Sequence, residues 1–131
     1  MTPEQIELAK RLAAHPTWQW VDGMYAAMGY DPDYEEWGRV DGDVPAACHY
    51  PDLNDPATQG CLLSMLDRGL YLDLRWRPAI VDEHGQTMRE EHWTIAGDRR
   101  DGTPDHVRAP ELGTALAEAL LSQWDAEEKR Q

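Results

Sequence analysis

The sequence has no phenylalanine, only two cysteines, and about half as many basic as acidic residues. The 12 Lys and Arg residues stand against 25 Asp and Glu, which gives a net charge of −13. No apolar run reaches the roughly 20 residues that span a bilayer, and the N-terminus lacks the basic and apolar stretches of a signal peptide. These absences exclude a membrane protein, a disulfide-rich secreted scaffold and a basic nucleic-acid-binding protein. We therefore expect a cytoplasmic protein that contacts neither membranes nor nucleic acids.

The residues that are present suffice for a folded domain. The chain has 131 residues, of which 41% are hydrophobic, and it includes six Trp and five Tyr. This length predicts a single domain over 1–131. Within it, 1–50 is predicted to hold a helix, short strands and an acidic loop, and 51–126 a helix–hairpin–helix core.

Capping residues and periodicity predict three helices. Thr2 and Gln5 form a capping box, Asp55 precedes Pro56 as an N-cap, and Pro110 opens a leucine-rich C-terminal helix. Alternating residues before and after a turn at 83–86 predict a strand hairpin. The predicted fold class is α+β, an antiparallel, hairpin-based sheet packed with N-terminal, central and C-terminal helices. The aromatic residues are divided by context into predicted core and exposed sets: Trp76, Trp93 and Trp124 in the core, and Trp18, Trp20 and Trp37 exposed.

Acidic residues are concentrated in one part of the chain. The stretch from Asp22 to Asp55 contains nine acids and one base, Arg39. Such a stretch is typical of a solvated loop region, but it also fits an acidic surface that docks on a basic partner. The predicted partner-binding residues combine charge with aromatic anchors: Asp31, Asp33, Tyr34, Glu35, Glu36, Trp37, Asp41 and Asp43.

Catalytic and cofactor motifs are absent. The sequence has no Gly-x-Ser-x-Gly turn, no His-Glu-x-x-His and no phosphate-binding glycine loop. Cys48 and His49 are adjacent, a pairing that could bind a metal, but the paired ligand spacing of a structural zinc site is missing. We expect no catalytic residue, no metal and no cofactor.

A second candidate site lies in the predicted hairpin. Tyr71, Arg75 and Arg77 alternate along one strand face, and His92 lies on the returning strand. This set could bind a nucleotide or another small ligand, although nearby acids such as Asp73 could instead pair with the arginines.

Three parts of the sequence resemble small phage and prophage proteins. The run from Pro51 to Leu63 with its Asp-Pro-Ala-Thr helix start, a Trp-bearing strand, and Ala109-Pro110-Glu111 entering an Ala/Leu helix are similar to the phage ABA sandwich type. The resemblance implies a phage origin and α-β-α layering, but it implies no activity and no catalytic residue.

Three hypotheses follow from the sequence. The first is a non-catalytic, phage-encoded protein that binds a basic host protein in the host cytoplasm, as anti-defence or host-takeover inhibitors do. The second is a small-ligand or nucleotide binder, or a modest enzyme, that uses the arginine-bearing strand face. The third is a virion structural or assembly protein. In each case an exposed sheet edge could pair two copies of the chain.

Overall fold

A computed structural model of the chain describes residues 1–29, 35–42, 48–67, 70–71, 73–98, 102 and 104–128. In these residues the fold is α+β, with antiparallel sheets and helices at the N-terminus, in the centre and at the C-terminus, so the predicted fold class is confirmed. The contacts divide the chain into two compact units, Met1–Met65 and Leu66–Gln131. The central helix belongs to the first unit, whereas the sequence grouped it with the second half. Within the described residues, no helix combines the length and the apolar character needed to cross a membrane.

The first unit begins with helix α1, Pro3–Ala14. The predicted capping box is confirmed, because the Thr2 hydroxyl accepts from the Gln5 amide and the Gln5 side chain accepts from the Thr2 amide. Leu8, Ala9 and Leu12 bury one face of the helix, which contacts the third strand of this unit. Tertiary packing therefore stabilises a helix that would be marginal alone.

Three short strands form the sheet of the first unit. They are β1 at Tyr25–Met28, β2 at Glu36–Arg39 and β3 at Cys48–Pro51, in the order β2-β1-β3 with both pairings antiparallel. Trp18 and Trp20 lie before β1 and belong to no strand. The two indole rings instead pack edge to face, 5.2 Å apart, and Trp18 is buried, so its predicted exposure was wrong.

Helix α2, Pro56–Met65, closes the first unit. Its predicted N-cap is confirmed, since the Asp55 carboxylate accepts from the Thr58 amide at 2.9 Å. The Thr58 hydroxyl also accepts from the Tyr25 amide, which ties the first turn of α2 to the start of β1.

The second unit contains a sheet of three strands and one long helix. Strands β4 at Asp73–Arg77, β7 at His92–Asp98 and β8 at Pro104–Ala109 pair antiparallel in the order β4-β7-β8. Helix α3, Leu112–Glu128, contacts β7 and β8. Because Ile95, Val107 and Ala109 are buried and share one sheet face by register, α3 covers that face.

The predicted single hairpin is divided into two ladders. Strands β5 at Ile80–Val81 and β6 at Thr87–Arg89 follow β4 and precede β7 in the chain, and they form a separate two-stranded ribbon. Pro78 stands at the division, where it cannot donate to a ladder. Trp76, which was predicted to lie in the core, is 42% exposed and packs against Trp93 with ring centroids 5.3 Å apart. Trp124 is buried, as predicted.

Candidate functional site

The predicted partner-binding residues that the structure describes lie on or beside β2. Glu35 precedes the strand, Glu36 and Trp37 begin it, and Asp41 follows it, and all four are exposed. We call these four residues the β2 surface. Asp31, Asp33, Tyr34 and Asp43 lie outside the described residues.

Trp37 stands at the centre of an aromatic cluster. In the register of the sheet, Ala27 lies opposite both Trp37 and Tyr50, so the three side chains share one face. The small Ala27 side chain lets the rings of Trp37 and Tyr50 approach to 5.8 Å, and the Tyr25 ring centroid lies 5.6 Å from that of Trp37. Trp37 nevertheless remains 43% exposed. Neighbouring rings therefore support the indole, while much of it faces solvent.

Glu35 connects the β2 surface to the buried part of the sheet. Its carboxylate accepts from the Tyr50 hydroxyl at 3.1 Å and lies 3.3 Å from His49 Nδ1. His49 Nε2 lies 2.9 Å from the Gly29 carbonyl oxygen. Burial, together with the bond to Glu35, raises the pKa of Tyr50 above its ordinary value.

The one base of the acidic stretch is held by a specific partner. Arg39 Nη1 lies 2.6 Å from an Asp55 carboxylate oxygen, and its guanidinium carbon lies 4.8 Å from the centre of the Tyr25 ring. The hydrogen bond from Arg39 lowers the pKa of Asp55, and the bonds from Thr58 act in the same direction. Arg39 thus neutralises a buried carboxylate, and its charge is not available to offset the exposed acids.

The two cysteines offer little reactivity. Burial raises the pKa of both the Cys48 and the Cys61 thiols, and the thiolate is the nucleophilic form. Among the described residues, neither Cys48 nor His49 belongs to a group of three side chains close enough to share a metal ion.

The second predicted site is only partly brought together. Arg75 and Arg77 lie on one face of β4, and Arg77 is opposite His92 on β7. Tyr71 does not join them: it is buried before β4, and its hydroxyl donates to Asp105 at 2.7 Å. Asp105 lies opposite Gly97, on the sheet face that holds Ile95 rather than the arginines, so placing Tyr71 in this set was wrong.

The structure adds residues that the sequence analysis did not single out. Thr94 lies opposite both Arg75 and Arg108, so Arg108 shares their face. The sequence signal for Arg108 was the alternation of residues 105–109, which is short and has only the small apolar side chains Val107 and Ala109 on its buried side. We call Arg75, Arg77, His92, Thr94 and Arg108 the arginine face.

Comparison with known proteins found no matching family model, no matching curated protein and no matching solved structure.

Proposed function

We propose that this chain is a non-catalytic binding protein whose β2 surface docks on a basic surface of another protein. The observation that carries the proposal is Trp37, an exposed indole on a supporting aromatic cluster, in an edge strand flanked by the exposed acids Glu35 and Asp41, with the exposed Glu36 next to it in the chain. In keeping with the phage-like sequence features, the proposed partner is a host protein, and binding would inhibit or redirect it.

The two kinds of residue serve different parts of binding. Trp is among the residues that most often dominate interface energetics, and removal of such an anchor typically costs 2 kcal/mol or more. Exposed acids contribute more to the rate of encounter and to the choice of partner than to affinity. The net charge of −13 also favours a basic partner, because it repels nucleic acid and anionic lipid at long range.

Affinity capture with matched variants tests this proposal. The immobilised wild-type protein is compared with Trp37→Ala and with the triple variant Glu36→Gln, Asp41→Asn and Asp22→Asn. Asp22 is included because the Gly23 amide donates to the Val40 carbonyl oxygen, which brings Asp22 to the end of β2. A control removes three exposed acids elsewhere, at Glu4, Glu7 and Asp98. We expect one specific basic protein to be retained by the wild type and by the control and to be lost from both test variants.

Salt dependence separates this surface from nonspecific adhesion. The Debye length falls from about 30 Å at 0.01 M salt to about 10 Å at 0.1 M, so association with the partner should slow as salt rises while the Trp37 contribution persists. Glu35 is left unchanged in the triple variant because its bond to Tyr50 supports the fold. Retention of the same partner by Trp37→Ala would overturn the proposal.

A further inference from the structure

The arginine face brings basic side chains from three strands into adjacent rows. Arg75, Thr94 and Arg108 are aligned across β4, β7 and β8, and Arg77 and His92 form the next row. Residues directly opposite in antiparallel strands project from the same face. Neighbouring strands lie about 4.8 Å apart, so roughly 10 Å separates the backbones of Arg75 and Arg108, with Thr94 between them.

On this face the central-strand side chains, Thr94 and His92, are buried, and those on the two outer strands are more exposed. Helix α3 covers the opposite face, where Ile95 and Val107 are buried. Arg75 and Arg108 are exposed, whereas the short Thr94 side chain is buried between them. The row therefore places the Thr94 side chain between two exposed arginine side chains.

The charges on this face are incompletely neutralised. Arg75 Nε lies 2.6 Å from an Asp73 carboxylate oxygen, and both side chains are exposed. Neither Arg77 nor Arg108 makes an ion pair or a side-chain hydrogen bond within the part of the chain that the structure describes. In a chain with 25 acids and 12 bases, most arginines can find an acidic partner, so two guanidiniums without an ion pair among the described residues are unusual.

We propose that the row of Arg75, Thr94 and Arg108 binds a phosphate monoester carried by a small molecule. Guanidinium groups offer planar pairs of N–H donors that match phosphate oxygens, and the Thr94 hydroxyl between them supplies a further donor. The net charge of −13 disfavours a long polyanion such as DNA, whose many phosphates would be repelled by the rest of the molecule. A small phosphate monoester carries only about two negative charges, so the rest of the molecule repels it far less than it repels a long polyanion.

Calorimetric titration with AMP and with inorganic phosphate, at constant ionic strength, tests the site. We expect both to bind, and we expect Arg108→Ala to weaken binding roughly tenfold or more, as the loss of a charge-assisted hydrogen bond does. Arg108→Lys keeps the charge but loses the fork, so it should restore only part of the affinity. Removal of the competing carboxylate in Asp73→Asn should strengthen binding by up to about fivefold.

The control is Arg11→Ala, which removes an exposed arginine from α1 in the first unit. We expect its affinity for AMP to equal that of the wild type. Equal weakening by Arg11→Ala and Arg108→Ala would overturn the site, because it would indicate general charge attraction. So would the absence of binding to either phosphate compound, tighter binding of succinate than of phosphate, or tighter binding of a short single-stranded DNA than of AMP. Circular dichroism of each variant ensures that a lost affinity reflects the site and not unfolding.

Discussion

At the scale of single residues, Asp55 is a buried acid that ties helix α2 to strand β2. Its carboxylate caps α2 through Thr58 and accepts from Arg39 at 2.6 Å. We expect Asp55→Ala to lower the free energy of unfolding by about 1–3 kcal/mol, because it removes the cap and leaves buried donors unsatisfied. Arg39→Ala should destabilise the unit as well, because it leaves the buried Asp55 carboxylate without its cationic partner. Urea denaturation of the two variants measures both losses of stability.

The same carboxylate gives the first unit a defined acid sensitivity. The pKa of Asp55 in the folded protein lies below its ordinary value of 3.8, chiefly because of the hydrogen bond from Arg39. A lowered pKa means that the unfolded chain takes up the proton first, so this stabilisation is present above about pH 4 and is lost as pH falls through the folded value. We expect the stability difference between wild type and Asp55→Asn to shrink between about pH 5 and pH 3. A difference that is constant over this range would contradict the assignment.

An added methyl group is expected to have opposite effects on stability at two of the glycines. A Cβ atom at Gly97 would lie 2.1 Å from the Leu70 carbonyl oxygen and 2.6 Å from Tyr71 Cα, whereas one at Gly60 in α2 would meet nothing within 4 Å. We expect Gly97→Ala to destabilise the protein by about 1–3 kcal/mol or more, because backbone must move to admit the methyl group. Gly60→Ala should stabilise it by up to about 1 kcal/mol through helix propensity. Thermal unfolding of both variants measures the two signs.

At the scale of elements, the β5–β6 ribbon is the least supported part of the second unit. A two-stranded hairpin is marginally stable by itself in water, and Ile80, Val81 and Met88 are 46%, 54% and 70% exposed. We expect the amides of β5 and β6 to exchange hydrogen faster than those of β7, which pairs on both sides. Hydrogen exchange monitored by NMR tests this order, and slower exchange in the ribbon would indicate that another surface covers it.

Elements with strong local signals could be predicted from the sequence, and those that depend on tertiary contacts could not. The capping residues Thr2 and Asp55 set their helix starts by short-range bonds, so these starts were predictable. Strand β8 has little hydrophobic alternation, and its place in the sheet depends on pairing with β7. Trp76 alternates like a core residue, but its position at the end of β4 leaves it exposed.

The candidate sites follow the same rule. Glu35, Glu36, Trp37 and Asp41 were predictable because they are close together in the sequence. Arg108 was not, since only the cross-strand register brings it beside Thr94 and Arg75. Tyr71 was misplaced because the strand pattern was extended to residues that lie before β4, where its ring is instead buried and bonded to Asp105.

At the scale of the whole molecule, the net charge of −13 is expected to oppose folding. Nine acids and one base lie between Asp22 and Asp55, and compaction brings these like charges closer together. The exposed ion pairs, such as Arg75–Asp73 and Lys10–Glu7, contribute little to stability in return. We therefore expect the repulsion between like charges to outweigh the attraction within the ion pairs. Added salt should then screen more repulsion than attraction.

This balance predicts the sign of the salt effect on stability. We expect the melting temperature to rise between about 10 mM and 150 mM NaCl, because the screening length falls from roughly 30 Å to 8 Å. The charge-reduced variant Glu4→Gln, Glu90→Gln and Asp98→Asn removes three exposed acids and should show a smaller rise, since less repulsion remains to be screened. Calorimetry at the two salt concentrations measures both effects. A melting temperature that falls with salt would show that the ion pairs contribute more than the repulsion, and that the Arg39–Asp55 pair and its exposed counterparts dominate the electrostatics of the fold.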